Sequence, residues 1–133
     1  MSELDFPIWE QENFVAAAVH EQRAITLTLR GSAEMAVVDG LGPLLMRIHA
    51  QALALKVERV RVNLEQLQFM NSSCFKWFVS WLAQLQDLPD PKPYTVQFVS
   101  NPRFRWQRAS LRALGCLAPD VVVAEEDRAQ SAV

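Results

Sequence analysis

Three stretches of this chain alternate apolar and polar side chains with a period of two. Ile25, Leu27 and Leu29 share one face while Thr26 and Thr28 take the other. Val60, Val62 and Leu64 are set against Arg59, Arg61 and Asn63. Val96-Gln97-Phe98 repeats the pattern after Tyr94-Thr95. A period of two is the pleat of a β-strand, and strict alternation describes a sheet with one buried face and one wet face. A sheet covered on both sides would read as continuous apolar runs. The alternation predicts an α/β chain of two layers, a mixed sheet with helices packed mainly on one face. Thr26, Thr28, Arg59, Arg61, Thr95 and Gln97 would then point outward.

Helical patterns lie between these strands. Leu41, Leu44, Leu45, Ile48, Ala52 and Leu55 follow the three-and-four spacing of one helix face, with Pro43 suited to the first turn. Extending that helix back over 34–42 would force a kink at Gly40, Gly42 and Pro43. A second helix is predicted from Ser72 to Asp87. A third is predicted to open at Asn101-Pro102 and reach Leu114, with Gly115 as its stop. Weaker strand candidates are residues 14–20 and 121–123. Pro89, Pro91 and Pro93 make a stiff connection before the 94–99 strand.

The second helix is unusually apolar. Phe75, Phe78, Val79, Leu82 and Leu85 form one stripe, which reads as core. Cys74, Trp77, Trp81 and Leu88 form a second, which is either more core or an exposed aromatic surface for a partner. On the third helix Arg105, Arg108 and Arg112 share a face. It is either solvated or able to hold carboxylates or phosphates.

With 133 residues the chain fits one domain. The boundaries read as an N-terminal extension over 1–13, a domain over 14–124 and a flexible tail over 125–133. The net charge of -2 argues against nucleic-acid binding. No apolar run is long enough for a membrane span, and the acidic N-terminus lacks the basic start of an export signal. A cytoplasmic protein is expected, with Cys74 and Cys116 as free thiols. There is no GxSxG and no glycine-rich phosphate loop, and His20 and His49 are too isolated to suggest a metal cluster. Neither an enzyme, a cofactor nor a metal site is expected.

The one segment that suggests a function is Asn71-Ser72-Ser73, where a strand and loop feed a helix N-terminus. Unpaired backbone N–H groups and the positive end of the helix dipole collect there and tolerate an anion. A phosphoryl group would bring about -1.5 to -2 charges. Plain capping by Asn or Ser is the competing explanation, although no Glu or Gln completes a capping box.

The run Asn63-Leu64-Glu65-Gln66-Leu67-Gln68-Phe69-Met70-Asn71-Ser72-Ser73 resembles the STAS domain family, the anti-sigma-factor antagonists and their relatives. Their pattern is a strand ending in Asp-Leu, a short loop, an apolar pair, then Asp-Ser-Ser-Gly opening a helix. The element order over residues 14–124 is similar too. Asn71-Ser72-Ser73-Cys74-Phe75-Lys76 looks nearer to the SiaC-type regulators of bacterial biofilm signalling. Asn71 stands in place of the usual aspartate and Cys74 in place of the usual glycine. The resemblance implies a non-catalytic regulatory domain, acting by partner switching or as activator of a signalling protein, with Ser72 as phosphoacceptor. Asn71, Ser73, Lys76, Trp77 and Trp81 would touch a protein partner, whether kinase, phosphatase or signalling enzyme, and the chain would be a monomer or weak homodimer. Two alternatives stay open: a constitutive scaffold never modified at Ser72, and a small-molecule or nucleotide-binding domain with its pocket between the 31–34 loop and Asn71.

Overall fold

The computed structural model describes residues 9–123. Six strands and three helices follow one another as β1 (Trp9–Gln11), β2 (Phe14–Glu21), β3 (Ala24–Ala33), α1 (Met35–Leu55), β4 (Arg59–Met70), α2 (Ser72–Gln86), β5 (Thr95–Val99), α3 (Arg105–Leu117) and β6 (Val122–Val123). The strands lie in the sheet in the order of the sequence. The first three pair antiparallel, and β3 to β6 run parallel. Each parallel step needs a crossover, and crossovers are right-handed. Steps that all move the same way across a sheet therefore place every helix on the same side. The connectivity thus produces the two layers that the alternation predicts.

The inward residues Ile25, Leu27, Leu29, Val60, Val62, Leu64, Val96 and Phe98 are buried beneath the helices. On the opposite face Thr26, Thr28, Arg59, Arg61 and Thr95 are half-buried, as a helix-free face requires. Gln97 departs from this set and is buried. Its ladder neighbours Arg61 and Val123 flank it, and Arg61 Nε donates to its Oε1 at 3.3 Å.

Topology also explains the apolar arc of α2. A sequential sheet puts α2 between α1 and α3, and it touches both. It has the sheet beneath and a helix on each flank, so both of its stripes are core: Cys74, Phe78, Trp81, Leu82 and Leu85 are all buried. Phe75 and Val79 pack against the margin of this cluster.

Several boundaries differ from the sequence reading. The sheet begins at Trp9, inside the residues read as an extension, because β1 pairs with β2. Helix α1 runs through both glycines and Pro43, starting at Met35. The reason is packing. A Cβ on Gly40 would lie 2.5 Å from the Trp9 ring, and one on Gly42 would lie 2.6 Å from the Trp77 ring. Each glycine seats an indole against the helix. Leu55, at the helix end, is exposed. Helix α3 starts at Arg105 instead of Asn101, whose side chain caps a turn by accepting from the Arg103 N–H. It passes Gly115 and ends at Leu117. The tail read over 125–133 lies outside the described residues.

Candidate functional site

Strand β4 carries the Asn71-Ser72-Ser73 segment, and it continues to Met70 where a loop is expected. Its first half, Arg59 to Asn63, is bonded to β3 on one side and β5 on the other. Beyond Asn63, β5 has ended. Against β3 the register slips twice: the two steps from Thr28 to Arg30 face three from Asn63 to Gln66, and Gly31 to Ser32 faces Leu67 to Phe69. Each slip inserts an extra residue in β4, which bends and twists the strand. It leaves backbone groups without ladder partners. The missing strand is replaced by side chains from residues 101–107. Gln107 Nε2 donates to the carbonyls of Leu64 at 2.7 Å and Leu67 at 3.0 Å. Asn101 Nδ2 donates to Glu65 O at 2.8 Å, and Trp106 Nε1 to Gln68 O at 2.7 Å. Gln107 is fully buried, and its Oε1 accepts from the Asn101 N–H, so the arrangement is closed. It fixes where β4 delivers Asn71.

Asn71 is the cap of α2. Its Oδ1 accepts from Cys74 N–H at 2.8 Å, and its own N–H donates to Ala33 O at 2.9 Å. The side-chain cap is therefore supplied without either serine. Ser72 is exposed, Ser73 is half-buried, and neither hydroxyl has a hydrogen-bond partner among the described residues. The first turn of α2 contains no acidic side chain to offset the helix dipole. Lys76 is exposed one turn on from Ser72, on the same side of the helix.

Ser72 opens onto a cleft of about 590 Å³ between the β1–β2 turn, the start of α1, the end of β4 and the start of α2. Glu12, Asn13, Glu34, Met35 and Phe69 line it beside Asn71, Ser72 and Ser73. The turn reaches this place because Gly31 has φ +95 and no side chain: a Cβ there would sit 2.0 Å from Asn13 O. Met35 and Phe69 are 72% and 46% exposed, an apolar pair in solvent beside the serine. The cleft includes Glu34 and Asn71, as the small-molecule alternative expects, but no Lys, Arg or His lines it to meet a phosphate.

Two of the expected partner contacts turn inward. Trp81 is fully buried, and its indole N–H donates to Tyr94 Oη at 2.8 Å. That oxygen lies 2.7 Å from His49 Nδ1 of α1. With the Tyr94 oxygen accepting from Trp81, its O–H donates to a neutral His49. Burial lowers the His49 pKa and pushes the Tyr94 hydroxyl well above its ordinary value. Trp77 is half-buried against Gly42, and its N–H donates to Val38 O at 2.8 Å. Both tryptophans fasten α2 to its surroundings; Trp81 has no exposed surface, and Trp77 keeps part of its side chain exposed. Cys74 is also buried, and its thiol is raised to about 11, far from a reactive thiolate.

The residues that the sequence reading missed are Glu12, Met35, Phe69 and Gln107. Gln107 had a signal: with Leu111 and Leu114 it falls on the apolar stripe of α3, where a polar side chain calls for a partner. The other three come from separate elements and share no local pattern.

No protein-family model and no curated protein matches the sequence. Solved structures do match in shape. An anti-sigma factor antagonist from Mycobacterium paratuberculosis superposes with a TM-score of 0.61 at 14% identity, over 93% of this chain and 97% of that one. The anti-sigma factor antagonist SpoIIAA in its unphosphorylated form gives 0.53 at 17% identity, over 88% and 95%. The chain has the fold of these antagonists, the STAS fold.

Proposed function

We propose that this chain is a regulatory domain that works by binding other proteins through the cleft at the start of α2, with Ser72 as the residue whose phosphorylation changes the partner. The carrying observation is that Ser72 presents a solvent-exposed hydroxyl at a helix N-terminus whose cap is already supplied by Asn71. A hydroxyl not needed for capping can be modified without unfolding the helix. No base is hydrogen-bonded to it among the described residues, so it is a poor nucleophile by itself and a suitable acceptor for a kinase. The shared fold with anti-sigma factor antagonists supports a binding role over a catalytic one.

A phosphoryl group on Ser72 would meet the free N–H groups of the first turn and the Lys76 ammonium, all favourable. It would also place about two negative charges beside the exposed Met35 and Phe69. A partner covering that apolar pair would have to desolvate the dianion, so association weakens or shifts to another protein. Ser72→Asp should keep the thermal midpoint and change partner affinity, whereas Ser72→Ala should bind as the unmodified protein does. Phosphosite mass spectrometry on protein from its native cells, with titrations of a cross-linked and purified partner, tests this. An unmodified Ser72 in cells, together with equal partner affinity for Ser72→Asp, would leave a constitutive scaffold as the function.

A further inference from the structure

Helix α3 has an amphipathic surface that neither the core nor the Ser72 cleft uses. Its inner side carries Gln107, Leu111 and Leu114 toward the sheet and α2. Its outer side carries Arg105, Arg108 and Arg112, all exposed. Steps of three and four residues place the three within about 60° of one another around the axis and spread them over about 10 Å. Ala109, Ala113 and Cys116 are the other exposed residues of that side. These short side chains leave the guanidinium groups uncovered. No acidic side chain pairs with any of the three among the described residues, although the chain has more Asp and Glu than Lys and Arg. Every cation on this face is arginine, whose planar fork matches a carboxylate in two bonds and sheds water more readily than an ammonium.

We propose that this face of α3 is a second docking surface, for an acidic segment of a partner protein. Charge complementarity selects the occupant. A patch of three cations about 10 Å long matches a few carboxylates on one peptide turn or strand. Three cations can neutralise only a few phosphates of a DNA duplex, a contact that salt weakens readily, and the net negative charge of the rest of this chain would oppose it. The surface is independent of Ser72: its charges stand on another helix, and no residue of it lines the cleft.

Fluorescence anisotropy with a labelled oligoglutamate peptide tests the proposal. The full chain should bind it, with affinity falling steeply between about 50 and about 200 mM salt. The combined variant Arg105→Gln, Arg108→Gln and Arg112→Gln should lose about tenfold or more in affinity at an unchanged thermal midpoint. Replacing the same three by lysine should retain only part of the binding, since the charge stays but the fork is lost. Ser72→Asp should bind the peptide as the parent does, which separates this surface from the cleft. Equal peptide binding by the glutamine variant, or no binding by the parent at about 1 mM peptide, overturns the proposal. Tighter, arginine-dependent binding of a short DNA duplex or of phosphatidylserine vesicles also overturns it and reassigns the face.

Discussion

The two halves of β4 are held in different ways. From Arg59 to Asn63 the strand lies between β3 and β5 in regular ladders, and backbone groups satisfy backbone groups. From Leu64 to Met70 one neighbour is gone, the register slips twice, and four carbonyls depend on the side chains of Asn101, Trp106 and Gln107. A ladder tolerates almost any sequence that fits the pleat, because the bonds belong to the main chain. A strand end held by side chains depends on particular residues, and it can be set at an angle a ladder would not allow. The candidate site hangs from the second kind. Irregular backbone near a functional segment is thus supported from residues 101–107, far along the sequence from the serines it positions.

The comparison can be broken most severely at the junction. Leu64 is fully buried where the ladder gives way to the bulges. Leu64→Ala should cost about 2–5 kcal/mol, as core truncations of this size do. Urea denaturation checks it, and an unchanged midpoint would mean that β4 is not packed as described.

Gln107→Leu separates the two halves directly. It keeps the side chain's bulk and removes the partner of the Leu64 and Leu67 carbonyls and of the Asn101 N–H, at about 1–3 kcal/mol for each group left buried and unpaired. Amide hydrogen exchange should quicken over residues 64–71 and stay slow over 60–63. Uniform acceleration of both halves would show that they behave as one unit.

A smaller effect is expected at the cap. Asn71→Ala removes the acceptor for Cys74 N–H and should cost about 1 kcal/mol, with a range of roughly 0.5–2. Asn71→Asp should restore the cap and add a favourable charge at the helix N-terminus. If Ala and Asp melt alike, the Asn71 side chain is not the cap.

The mildest test concerns the hydrogen bonds among His49, Tyr94 and Trp81, which tie α1 to α2 away from the bulges. Burial lowers the His49 pKa in the folded chain from the ordinary imidazole value of 6.5. Below that value the unfolded chain takes up a proton that the folded chain resists. Stability should therefore be full above about pH 6.5 and decline as the pH falls through it, levelling once the folded value is passed. Denaturant midpoints across this window should slope for the parent and lie flatter for His49→Gln. A slope of equal size in the variant would assign it to another group.

The sequence by itself determined the two layers, the wet sheet face and the position of the serines at a helix start. These follow from the periodic spacing of side chains and from cap chemistry, both properties of neighbouring residues. Tertiary structure decided which apolar stripe of α2 is covered. Trp77 and Trp81 would suit an exposed interface equally well, and they turn inward because Gly42 and Tyr94 offer an indole-sized seat and a buried hydroxyl. It also decided the course of α1, where Gly40 and Gly42 read as breaks but serve as contacts for Trp9 and Trp77. Of the cleft beside Ser72, only the side between the 31–34 loop and Asn71 was anticipated, and the rest was out of reach for the same reason. Glu12, Met35 and Phe69 come from a turn, a helix start and a strand end, and only long-range packing, which no local pattern encodes, brings them together.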